Sequence, residues 1–170
     1  TATHTSTLAS VAAATSGKVT ATVSGTAAVV DDIGTTSATD TITITVSDSV
    51  TVAQGDTIVN GTDASTVTFT TGIEDTLANL VNANNATNAT TTSIIQKDAD
   101  ITITVSDNVG TSESPINQAK IDSLNSMRLS TSGSVVATIF GNIAMIKNLS
   151  NGKINAKAGI LPKRVHGSAL

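Results

Sequence analysis

The stretch Thr41-Ile42-Thr43-Ile44-Thr45-Val46-Ser47-Asp48 and its echo Asp100-Ile101-Thr102-Ile103-Thr104-Val105-Ser106-Asp107 decide how this 170-residue chain is read. Ile42 to Val46 is repeated without change as Ile101 to Val105. Strict alternation of β-branched aliphatics with threonine predicts half-buried strands, apolar on one face and polar on the other. A second, Gly-bounded strand type alternates with this Asp-bounded one. Gly17-Lys18-Val19-Thr20-Ala21-Thr22-Val23-Ser24-Gly25 is matched by Gly133-Ser134-Val135-Val136-Ala137-Thr138-Ile139-Phe140-Gly141, and Ser65-Thr66-Val67-Thr68-Phe69-Thr70-Thr71-Gly72 is a looser copy. Anchored on their first apolar residues (Val19, Ile42, Val67, Ile101 and Val135), the five strands are spaced 23, 25, 34 and 34 residues apart. A fixed order at such a period is what stacked supersecondary units produce.

Between these strands the apolar period changes from 2 to about 3.6. Val29, Val30 and Ile33 share a helical face after Gly25, and Ile73, Leu77, Leu80 and Val81 form a stripe after Gly72. A weaker stripe, Ile143, Ile146 and Leu149, follows Gly141. Ser114-Pro115 reads as the cap and first residue of a helix running through Ile116, Ile121 and Leu124. Residues 81–92, almost all Asn, Ala and Thr, read as an exposed loop. Strands joined by crossover helices should be parallel. The expected fold is therefore a β-rich repeat protein, a β/α solenoid with a parallel sheet and short crossover helices. The same alternation also permits an antiparallel β-sandwich. One repeat domain is expected over residues 1–151, with strands near 18–24, 41–47, 66–71, 100–106 and 134–140, followed by a basic C-terminal segment over 152–170.

Composition narrows the function. Leu, Ile, Val and Phe number 42 and the net charge is −4, so the chain can build a core. Thr (31) and Ser (19) dominate the polar residues, which favours strands and turns over long surface helices. With no Trp or Tyr and only Phe69 and Phe140, there is no aromatic platform for stacking bases. Zero Cys removes thiolate zinc sites, thiol nucleophiles and disulfides, and His4 and His166 lie near opposite ends. The longest apolar stretch, Val135 to Ile146, is too short to span a bilayer. No acid/base constellation stands out, so no catalytic residue is expected.

The succession Ser16-Gly17-Lys18-Val19-Thr20-Ala21-Thr22-Val23-Ser24-Gly25-Thr26-Ala27-Ala28, then Thr39-Asp40-Thr41-Ile42-Thr43-Ile44-Thr45-Val46-Ser47-Asp48, resembles the Thr/Ala-rich repeats of very large bacterial cell-surface proteins, such as those of marine cyanobacteria. The resemblance spans roughly residues 8–150. It implies a secreted or cell-surface structural role, with no catalytic residues to carry over.

Three sets of residues are candidate sites. Thr20, Thr22, Thr43, Thr45, Thr68, Thr70, Thr102, Thr104 and Thr138 fall on the polar strand face, with Val136 interrupting the last rung. On a parallel sheet such threonines repeat about 4.8 Å apart between strands, the kind of array an ice-binding face needs; the plainer reading is a good strand former facing solvent. Asp40, Asp48, Asp100 and Asp107, with Asp31, Asp32 and Asp98 nearby, are candidate calcium ligands, or else turn and cap formers bonding local backbone. Residues 1–115 carry 12 acidic and 2 basic side chains, whereas residues 116–170 carry 1 acidic and 7 basic. Lys153, Lys157, Lys163 and Arg164 are thus a candidate assembly contact for the acidic body of another copy. The expected function is a non-enzymatic extracellular structural protein that self-associates head to tail into a surface layer, fibre or filament, with no cofactor unless calcium. The alternatives are an ice-binding protein and a calcium-dependent adhesin segment. Cell-surface polysaccharide is a further candidate partner; nucleic acid and a membrane span are not expected.

Overall fold

The structure is a computed structural model and describes residues 2–34, 37, 39–62, 64–111, 113–141, 147, 149 and 154–159. Its elements run α1 (Ala2–Ala14), β1 (Thr20–Gly25), α2 (Ala27–Asp31), β2 (Thr41–Val46), α3 (Val52–Gly61), β3 (Thr66–Phe69), β4 (Ile73–Asp75), α4 (Leu77–Leu80), α5 (Ala89–Lys97), β5 (Ile103–Val109), α6 (Gln118–Ser130), β6 (Val135–Phe140) and β7 (Ile154–Gly159). The strands form two sheets of mixed α/β architecture, β1-β2-β3 and β4-β5-β6-β7. Every strand pair is parallel and joins neighbours in sequence. The antiparallel sandwich is therefore excluded: the β1–β2, β2–β3, β4–β5 and β5–β6 connections each carry the chain back across at least one helix, which leaves the strands they join running the same way. A parallel bridge between Val50 and Ile73 links the two sheets.

Alternation sets the faces as expected. Ile42, Ile44 and Val46 of β2 are fully buried, as are Ile73 of β4, Ile103 of β5 and Val135 and Ile139 of β6. The threonines between them are half-buried or exposed. The register differs from the anchoring above by two residues. Ala21 faces Ile42, Ile44 faces Val67 and, in the second sheet, Ile103 faces Val135. A two-residue slip keeps every side chain on its own face, so the hydrophobic pattern alone does not detect it.

Four further elements depart from expectation. Residues 73–75 are the strand β4, not the start of a helix, because Gly72 adopts φ +91 and turns the chain back into extended pairing with Thr102 and Ile103. A Cβ at Gly72 would lie 2.1 Å from the Thr102 carbonyl oxygen. Helix α3 forms despite Gly55 and four β-branched residues: Thr51 and Gln54 close a capping box, and Val52, Gly55, Ile58 and Val59 are buried. Part of the stretch expected to be a loop is helix α5, started by the Asn88 side chain and held by buried Ile94 and Ile95. In the segment expected to be a basic tail, residues 154–159 form β7 on β6. Most of the stripe expected after Gly141 lies outside the described residues.

Candidate functional site: a carboxylate ladder and a threonine face

The period-2 rule that buries Ile42, Ile44 and Val46 places Asp48 at the next position on the inner face, and it does the same for Asp75 after Ile73 and for Asp107 after Ile103 and Val105. Each of these carboxylates meets the start of a helix that belongs to the preceding strand. The Ala27 N–H at the first position of α2 donates to Asp48 Oδ1 at 2.7 Å. The Val52 N–H opening α3 donates to Asp75 Oδ2 at 3.0 Å, and the Leu77 N–H opening α4 donates to Asp107 Oδ1 at 2.7 Å. The first N–H groups of a helix lack internal partners and carry partial positive charge, so an anionic acceptor is favoured there. In α2 the Thr26 cap makes no side-chain bond, which leaves Asp48 to serve that end.

These bonds also set the register. The Asp48–Ala27 separation is 21 residues, as is that of Asp40 Oδ1 and the Val19 N–H. β1 and β2 pair at the same offset, for example Ala21 with Ile42. Asp75–Val52 spans 23 residues, matching Ile44 with Val67, and Asp107–Leu77 spans 30, matching Ile73 with Ile103. A ladder shifted by two residues would break the carboxylate bonds while leaving the apolar rows intact. On its other side, β5 shifts register against β6 between Val105 and Asn108.

Of the candidate calcium ligands, Asp40, Asp48 and Asp107 therefore bond backbone N–H groups, and Asp40 also accepts from Ser37 N. Asp31, Asp32 and Asp100 are exposed. Among the described residues no three His, Cys, Asp or Glu side chains gather in a group able to hold a metal ion. Asp98 is buried, accepts from Phe69 N at 2.6 Å and has the Asp100 side chain beside it. Burial pushes its carboxyl above the ordinary range; the Phe69 bond opposes this, and the Asp100 carboxyl adds to it. Asp75 behaves in the opposite way: burial raises it, but bonds from the Asn79 side chain, Val52 N and Thr76 N outweigh that and hold it below the ordinary value. Asp75 was not among the expected site residues. The signal for it was the trio Thr26-Ala27-Ala28, Thr51-Val52-Ala53 and Thr76-Leu77-Ala78, helix starts spaced 25 residues apart.

The threonine face is regular in the first sheet only. Thr22, Thr43 and Thr66 stand in one row, Ser24, Thr45 and Thr68 in the next, and Thr20 pairs with Thr41. Thr41 and Thr66 thus join the array. Thr70 lies beyond β3, and its hydroxyl donates to the Val46 carbonyl. Thr102 precedes β5, and its carbonyl accepts from Ile73 N. In the second sheet the corresponding row reads Glu74, Thr104, Val136 and Asn155, while Thr138 faces Asn108 and Lys157. A shallow depression of about 250 Å³ lies here, lined by Glu74, Thr104, Ser106, Val136 and Thr138 among others.

Of the four assembly candidates, Lys157 lies in β7; Lys153, Lys163 and Arg164 lie outside the described residues. No helix among the described residues is long and apolar enough to cross a membrane. Comparison with protein-family models, curated proteins and solved structures finds no match for this chain.

Proposed function

We propose that the chain is a β/α solenoid acting as a non-enzymatic extracellular structural protein, whose copies join end to end into a layer, fibre or filament. One observation carries this reading: a stack of parallel strands taken in sequence order, in which β1 is an outermost strand. Such a stack grows by adding another strand pair with the same geometry, and an uncovered terminal strand is a ready template for it. The Thr/Ser-rich surface and the resemblance to bacterial surface repeats support an extracellular setting. Sedimentation velocity over a concentration series tests the reading: species that grow with concentration support it, and a single monomeric boundary at every concentration refutes it.

The in-register rows Thr22–Thr43–Thr66 and Ser24–Thr45–Thr68 favour a second reading, ice binding by the first sheet. Thermal hysteresis abolished by Thr43→Tyr, with the fold intact, is its signature. A chain without hysteresis excludes it.

A further inference from the structure

We propose that the outward edge of β1 is the receiving half of the joint between copies, and that it takes the β7 edge of a second copy, head to tail. This rests on the self-association reading and adds the surface and its polarity. Val19 O accepts from Thr41 N at 2.8 Å and Gly25 O accepts from Ser47 N at 2.9 Å. Bonds on one edge of a parallel strand recur at every second residue, so Val19, Ala21, Val23 and Gly25 point at β2. Thr20, Thr22 and Ser24 therefore direct their N–H and C=O groups away from β2, on a side where no strand of the described residues lies.

The core row also stops short there. Ile42, Ile44 and Val46 are fully buried, whereas Val19, Ala21 and Val23, the same row one strand outward, are only half-buried. Helix α1 packs on α2 at this end, and its Val11 remains 50% exposed. The terminal rung thus combines unpaired backbone groups with incompletely covered apolar surface, the two features a continuing strand would satisfy. At the far end, β7 is the last strand of its sheet among the described residues.

Charge selects the partner. Residues 1–62 hold five acidic side chains and one basic, whereas from residue 116 on the described residues include the basic Lys120, Arg128, Lys147 and Lys157 against the acidic Asp122. Two β1 ends brought together repel, whereas a β1 end and a β7 end attract. A joint between unlike surfaces that adds one strand pair after another along the stack builds a filament unless its rotation closes into a ring.

Thr22→Pro removes one outward N–H and no bond to β2, a substitution that edge strands accommodate. Thr22→Lys keeps the N–H and sets a charge at the edge. Thermal melting confirms that each variant is folded, and sedimentation velocity with light scattering follows assembly. Wild type is expected to assemble, and both variants to assemble at least about tenfold more weakly, the equivalent of about 1.4 kcal/mol. Thr22→Pro mixed into wild type is expected to stop growth at the β1 end and shorten the polymers in proportion to its fraction, because it joins through its β7 end alone. Wild-type assembly by folded Thr22→Lys overturns the β1 joint while self-association stands. Thr22→Pro that forms no mixed species with wild type overturns the head-to-tail polarity. A wild-type chain that stays monomeric removes the self-association reading and the joint with it.

Discussion

Glu74 and Asp75 are adjacent, both acidic and in the same strand, yet their removal should cost very different amounts of stability. Asp75 accepts from Val52 N at 3.0 Å, from Thr76 N at 2.8 Å and from Asn79 Nδ2 at 2.7 Å. Glu74 projects to the other face and is exposed. Truncating Asp75 to Ala abolishes all three bonds and leaves the Val52 N–H at the start of α3 without its anionic acceptor. At about 1 kcal/mol for each bond to a charged group in a half-buried setting, the cost is about 3 kcal/mol. That is a large part of the 5–15 kcal/mol that stabilises a typical domain. Glu74→Ala should cost less than about 0.5 kcal/mol, as for an ordinary surface substitution. Urea unfolding followed by circular dichroism measures both; with a slope of about 2 kcal/mol/M, the Asp75→Ala midpoint should fall by about 1.5 M. The pH dependence provides a second readout. Because the Asp75 carboxyl is held below its ordinary value when folded, its contribution is present above the ordinary carboxylate range and is lost as pH falls through the folded value. Asp75→Asn should therefore show a flatter decline in acid. Equal costs for Glu74→Ala and Asp75→Ala would refute the carboxylate ladder.

Related variants extend the test. Asp48→Ala and Asp107→Ala each remove one helix-start bond and should each cost about 1–2 kcal/mol in the same assay. Gly72→Ala forces a Cβ against the Thr102 carbonyl at positive φ, and should cost at least about 2 kcal/mol by urea midpoint. Asp98 has the opposite pH sign to Asp75: its folded value lies above the unfolded one, so wild-type stability rises as pH falls from above the folded value toward the unfolded one. Asp98→Asn should lack that rise when melting is followed across the mildly acidic range.

The sequence made strand existence and face legible wherever Ile, Val and Thr alternated, as in β2 and β5, because period 2 has one structural meaning for an amphipathic sheet. It did not make register legible, since sliding Ile42 from Ala21 to Val19 preserves every apolar contact type. The information lay in Asp48, Asp75 and Asp107, whose side chains measure the offset between strands; read singly, they are indistinguishable from ordinary turn residues. Helices α3 and α5 were hidden for a different reason. Gly55, Thr57, Ile58 and Val59 in α3, and the run Thr90-Thr91-Thr92 in α5, are poor helix formers, and burial of Ile58 and Ile94 overrides that preference. Gly55 is itself a packing residue, since a Cβ there would come 2.8 Å from Ile94 Cδ1. The threonine face was legible as a face but not as an array, because Glu74 and Val136 take the places where the rows would continue into the second sheet.

Negative-stain electron microscopy of the purified chain, with and without calcium, tests end-to-end assembly most directly. Fibres or sheets in both conditions, with a repeat set by one copy per joint, are the expected result. Monodisperse single-copy particles in both conditions would contradict it.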